Sequence, residues 1–91
     1  MVTSLILMNI ERKEINNVAE LLSVTEGISE VYSVSGKYDL IAIVRVKTSD
    51  DLASLVTEKL AQIDAITKTE TMLAFKAYSK HDLESMFNIG M

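Results

Sequence analysis

The stretch Val2-Thr3-Ser4-Leu5-Ile6-Leu7-Met8-Asn9-Ile10 is apolar at both odd and even positions. Successive side chains of a strand point to opposite faces, so a strand with one buried face alternates apolar and polar residues. This one reads as a strand covered on both sides. The run from Leu40 to Val46 has the same character, interrupted only by Arg45. The first run is too short to cross a bilayer as a helix and has neither the basic leader nor the cleavage site of a signal peptide. A cytoplasmic location, without a membrane partner, is the expectation.

Working outward, Glu14 to Val24 carries Ile15, Val18, Ala19 and Leu22 at helical spacing, which predicts a helix with one apolar stripe. Gly27 breaks that pattern. Ile28 to Ser35 follows as a strand, with Ile28, Tyr32 and Val34 on one parity and Val31 on the other. Gly36-Lys37-Tyr38-Asp39 is a turn signal between two β-rich runs, close enough for a hairpin. After Val46, Thr48 and Asp51 have capping-box spacing, and Asp50-Asp51 suits the positive end of a helix dipole. The second helix buries Leu52, Leu55, Val56 and Leu60. A last strand is predicted over Ile66 to Tyr78, with Thr67, Thr69 and Thr71 leading into Leu73, Phe75 and Ala77. A single helical turn around Leu83 and Met86 is the only regular element suggested for the tail.

The order is strand-helix-strand twice over, and the halves superimpose with a shift of 38 residues: Ile6 falls on Val44, Val18 on Val56, Leu22 on Leu60, and Gly27-Ile28 on Ala65-Ile66. Right-handed crossovers in two βαβ halves put both helices on one face of a four-stranded antiparallel sheet. The predicted fold class is therefore α+β, ferredoxin-like βαββαβ. It forms a single domain over 1–91, with a core over 2–78 and a tail over 79–91. The helices cover one sheet face, yet the first and third strands are apolar on both. An uncovered face of that kind is a patch that soluble monomers rarely expose. Two copies packed sheet on sheet remove it, so a homodimer through the sheet is expected.

Composition narrows the function. Of 91 residues, 48% are hydrophobic, which suits a folded core, and there are 3 Gly and no Pro to punctuate loops. The 13 acidic and 9 basic residues give a net charge of -4, and no basic cluster is present. Direct nucleic-acid binding, which needs clustered Lys and Arg against phosphates, is not expected. Cys is absent, so disulfides and thiolate metal sites are excluded. His81 is the one histidine and lies in the tail, away from any nucleophile motif. No phosphate-binding glycine motif or HExxH pattern occurs. The reading is no catalytic residue, no metal and no cofactor. A small dimeric α+β barrel enzyme of the monooxygenase or isomerase type is the catalytic alternative, and it would need acid and base groups converging in one pocket.

The turn and the threonine strand carry the remaining signals. Gly36 can adopt positive φ or permit close approach, Asp39 can accept hydrogen bonds from an ammonium group, and Tyr38 can wall a pocket. An ordinary hairpin turn, with Asp39 bonding local backbone, explains the same residues. The threonines offer hydroxyls to a polar cleft, and plain β-propensity explains them equally well. Arg45 suits either a carboxylate partner or a snorkelling position at the sheet surface.

From about Thr3 to Tyr78 the chain resembles the effector-binding domain of the leucine-responsive/asparagine-synthase-C (Lrp/AsnC) regulators, the regulation-of-amino-acid-metabolism domain. Two blocks carry the likeness. One is Gly27-Ile28 with Tyr32-Ser33-Val34-Ser35-Gly36-Lys37-Tyr38-Asp39-Leu40; the other is Asp51-Leu52 through Leu60 with Ile66-Thr67-Lys68-Thr69-Glu70-Thr71. The resemblance implies sheet-mediated dimers that assemble into octamers or decamers and bind amino acids or related effectors between dimers. It assigns ligand contacts to Gly36, Tyr38 and Asp39, with Asp39 taking the effector's α-amino group. Thr69 and Thr71 are expected near the cleft, from an adjoining dimer. Two departures stand out. Family regulators usually carry an N-terminal helix-turn-helix, and here the first strand begins within the first few residues, so the expectation is a stand-alone form that senses effectors or co-assembles with a helix-turn-helix relative. Ala65 also replaces the glycine usual before the last strand, so the turn there is expected to differ. A purely structural or regulatory partner without a ligand is the third reading.

Overall fold

The computed structural model of the chain describes residues 1–78 and residue 80. The elements are β1 (Val2–Ile10), α1 (Ile15–Ser23), β2 (Ile28–Ser33), β3 (Leu40–Val46), α2 (Ser49–Ser54) and β4 (Ile66–Leu73). All strand pairs are antiparallel, in the order β2-β3-β1-β4. This is the ferredoxin-like α+β arrangement. The even positions Ile6, Met8 and Ile10 of β1 and Leu40, Ala42 and Val44 of β3 form one core with Val18 and Leu22 of α1 and with Leu55 and Leu60. Both helical segments therefore cover the same sheet face.

The opposite face of β1 and β3 is apolar, as their sequences indicate. Leu5 lies opposite Ile43 and Leu7 opposite Ile41, with Met72 beside Leu5 on β4 and Tyr32 beside Ile41 on β2. The four aliphatic residues are only half-buried, and Tyr32 and Met72 are 49% and 45% exposed. Among the described residues, no helix lies over this face.

The internal repeat extends to details. Ile28 N–H donates to Thr25 O and Ile66 N–H to Ile63 O, each at 3.1 Å, closing equivalent turns ahead of β2 and β4. A bulge follows the first residue of each strand, and its extra residue is Ser29 in β2 and Thr67 in β4. Each bulge hydroxyl donates to a carbonyl of the neighbouring strand, Ser29 to Ile43 O at 3.2 Å and Thr67 to Asn9 O at 3.1 Å. Gly27 takes φ 95°, whereas Ala65 has no positive φ, so the two turns do differ in backbone conformation. The Ala65 carbonyl accepts the Glu11 N–H at 2.8 Å.

Several boundaries depart from the sequence pattern. The first helix opens with a 3-10 turn over Arg12–Glu14 before α1. The β2 bulge shifts parity, so Ile28 and Val31 share the core side while Tyr32 faces the open side, and β2 stops at Ser33. The capping box forms as expected: Asp51 N–H donates to Thr48 Oγ1 at 3.1 Å, and Thr48 N–H to Asp51 Oδ2 at 3.3 Å. Beyond α2 the chain widens into a π turn over Leu55–Lys59, where Leu60 N–H donates to Leu55 O, and closes with a 3-10 turn over Leu60–Gln62. A π turn brings residues five apart to one side, so Leu55 and Leu60 are buried while Leu52 and Val56 are only half-buried. β4 ends at Leu73 rather than Tyr78; Ala74 N–H still donates to Thr3 O at 2.9 Å, after which Phe75 is 96% exposed. The turn suggested around Leu83 and Met86 lies outside the described residues, as does His81.

Candidate functional site

The 36–39 turn is held by its neighbours on three sides. Gly36 has φ 106°, and nothing lies within 4 Å of where a Cβ would sit, so backbone conformation rather than crowding requires glycine there. Val34 N–H donates to Asp39 O at 3.0 Å, and Asp39 N–H donates to Met8 O at 2.8 Å. The Asp39 carboxylate accepts the Ile10 N–H at 2.8 Å through Oδ2. Asn9 Nδ2 donates to Lys37 O at 2.7 Å. Asp39 thus extends the β1–β3 ladder with a side-chain acceptor.

Tyr38 reaches across β1 to β4. Its hydroxyl donates to Glu70 Oε2 at 3.3 Å, and Lys68 Nζ sits 5.9 Å from the centre of its ring. Glu70 pairs with Leu7 and Lys68 with Asn9, so this contact lies on the open side of the sheet. Desolvation raises the Tyr38 pKa above 10.0, and the Glu70 charge and hydrogen bond add to the rise.

Thr69 and Thr71 lie elsewhere. They pair with Met8 and Ile6, which places them on the helix side of β4. Thr69 lines a groove of about 220 Å³ with Val56, Leu60 and Ile63. Within one chain Gly36, Tyr38 and Asp39 stand together in one turn, while the two threonines are on the face of the sheet opposite the Tyr38–Glu70 contact. The Thr67 hydroxyl is committed to its bulge. Sequence reasoning missed Asn9, Lys68 and Glu70. Their signal was the charged alternation Lys68-Glu70 between the threonines, which marks the opposite face of the same strand.

Among the described residues, no group of three or more His, Cys, Asp or Glu side chains is placed to hold a metal ion, and no helix is long and apolar enough to cross a membrane.

Comparison with known proteins locates this arrangement. The family model of the Lrp/AsnC ligand binding domain matches residues 3–83. The HTH-type transcriptional regulator YugG of Bacillus subtilis is 36% identical over 67 residues, which is 74% of this chain and 40% of that protein. The crystal structure of TTHA0845 from Thermus thermophilus superimposes with a TM-score of 0.82 at 35% identity, over 88% of this chain and 100% of that one. The transcriptional regulator NMB0573 of Neisseria meningitidis, solved as an L-Met complex, gives a TM-score of 0.78 over 86% of this chain and 52% of that one. Its 11% identity makes the likeness one of fold alone. The chain spans about two fifths of the length of the first curated relatives it matches.

Proposed function

The chain belongs to the Lrp/AsnC ligand-binding domain family, and from that premise we propose that it is a non-catalytic regulatory module whose effector is an amino acid or a related small zwitterion. Its curated relatives are transcriptional regulators, which supports a regulatory role. The module is a single unit over 1–91. Two copies join through the open sheet face of Leu5, Leu7, Ile41 and Ile43, and the dimers assemble further into an octamer or decamer or with a helix-turn-helix relative.

The observation that carries this reading is the division of the candidate site across the sheet. Tyr38 meets β4 on the open side of the sheet, whereas Thr69 and Thr71 lie on the helix side, so a cleft using both sets needs a second copy. Asp39 Oδ2 is bound to Ile10 N–H, and its other oxygen is the acceptor for the effector's ammonium group. Tyr38, whose hydroxyl donates to Glu70, accepts a hydrogen bond beside it, and the threonine hydroxyls of an adjoining dimer meet the effector from the far side. A ligand shared by two dimers stabilises their contact by mass action, which couples amino-acid level to assembly. The L-Met complex of a protein with this fold supports the choice of ligand class.

Calorimetry of the assembled chain against the proteinogenic amino acids tests the proposal. At least one binds, and Asp39→Asn abolishes the heat while keeping an acceptor for Ile10 N–H. Absence of binding by all of them overturns the amino-acid reading.

A further inference from the structure

A second cleft, of about 510 Å³, opens at the far end of β3 from Asp39. Seven strand residues at about 3.3 Å each put it ~20 Å from the 36–39 turn. Its volume falls within the roughly 300–1,000 Å³ typical of small-ligand pockets. Gly27, Val46 and Leu55 line its apolar part. A Cβ on Gly27 would meet Val46 Cγ1 at 3.1 Å and Leu55 Cδ2 at 3.8 Å, so both side chains lie close to the space that glycine leaves empty. The wall is fixed, because Arg45 N–H donates to Gly27 O at 2.9 Å. On the helical side it is formed by Ser54, Leu55 and Lys59, within and just before the π turn, and such turns concentrate at functional positions.

The rim carries a charge that the chain as a whole does not. Arg45, Lys47 and Lys59 line the cleft against Glu26 and Asp51. The Asp51 carboxylate accepts the Thr48 N–H in the capping box and keeps its charge, so three cations face two carboxylates. In a chain of net charge -4, this is a local cationic surplus beside an apolar wall. We propose that the cleft is a second ligand site, for a small carboxylate with an apolar body. The carboxylate would be met by the exposed Arg45, Lys47 and Lys59 side chains, and the body by Val46, Leu55 and the bare backbone of Gly27. Among the residues lining it, cations outnumber carboxylates three to two, which favours a carboxylate ligand over an ammonium group. The site therefore separates from the one at Asp39 by chemistry as well as by place.

The test is a methyl-resolved NMR titration of the full, assembled chain with 4-methylpentanoate, which has the carboxylate and apolar body but no ammonium group. Saturable shifts are expected at Val46 and Leu55 methyls and not at Leu40, which follows Asp39. Lys59→Gln and, separately, Arg45→Gln each weaken the apparent affinity about ten-fold, the loss of one charge-assisted hydrogen bond. The neutral 4-methylpentanamide gives no saturation. Absence of shifts at Val46 and Leu55, shifts unchanged by either substitution, equal binding of the amide, or the same shifts with inorganic phosphate alone would each overturn the proposal. None of these results bears on amino-acid binding at Asp39, which reads out through Asp39→Asn.

Discussion

The Asp39 carboxylate accepts the backbone N–H of Ile10 at 2.8 Å, and this bond fastens the 36–39 turn to the end of β1. Asp39→Ala leaves that partly buried N–H without its partner, at a cost of about 1–3 kcal/mol. Asp39→Asn keeps an acceptor and costs less. Urea unfolding of the three proteins side by side should give that ranking. An Asp39→Ala protein as stable as the parent would remove the structural role assigned to this bond.

The open sheet face makes a second prediction. Leu7 pairs with Ile41 at its centre, with no helix among the described residues above either. Leu7→Asp puts a charge into the face that the proposed dimer would desolvate. Sedimentation should show the variant shifted to monomer, with the far-UV circular dichroism of the folded protein retained if the monomer still folds, or lost if folding and dimerisation are coupled. A variant with unchanged mass rules out this face as the contact.

Tyrosine titration tests the Tyr38–Glu70 contact. The Tyr38 pKa lies above 10.0 in the folded chain, so the unfolded phenol ionises first as pH rises. This contribution to stability is complete below pH 10.0 and declines as pH rises from there through the folded pKa. Glu70→Gln should lower the Tyr38 pKa only part of the way, because desolvation is the larger cause. Absorbance at the tyrosinate band, with Tyr38→Phe as reference, reads the difference.

Two glycines should respond differently to alanine. Both have positive φ, 95° at Gly27 and 106° at Gly36, so each substitution carries a backbone penalty on the order of 1–3 kcal/mol. A methyl at Gly27 also presses on Val46 at 3.1 Å, whereas one at Gly36 meets open space. Thermal unfolding should therefore place Gly27→Ala below Gly36→Ala.

These details show how far the sequence alone reaches. The two-sided strands Val2–Ile10 and Leu40–Val46 were legible as apolar runs with these same limits, because periodicity reports burial directly. The 38-residue repeat was legible too, and it extends to the paired bulges at Ser29 and Thr67. What escaped was any feature set by a single backbone irregularity. The bulge at Ser29 moved Tyr32 to the open face, and the π turn at Leu55–Lys59 narrowed the buried stripe to Leu55 and Leu60. Neither leaves a compositional mark. Of the candidate site, the turn was foreseeable from Gly36, whereas Asp39, expected to bond local backbone, instead accepts from Ile10 N–H on β1. The partnership of Tyr38 with Glu70 was not foreseeable, since it depends on which strand lies next to β1.

The central claim is that the effector site is built from two copies, with Gly36, Tyr38 and Asp39 from one and Thr69 and Thr71 from the other. Mixing two binding-deficient proteins tests it most directly. Asp39→Asn and Thr69→Val/Thr71→Val are each prepared, unfolded together, refolded and titrated with the amino acid that binds the parent. Mixed assemblies regain a fraction of the parent's sites, because some junctions then pair an intact Asp39 with intact threonines. Calorimetric heat that stays at zero in the mixture, with mixed assembly verified by mass spectrometry, would contradict the account.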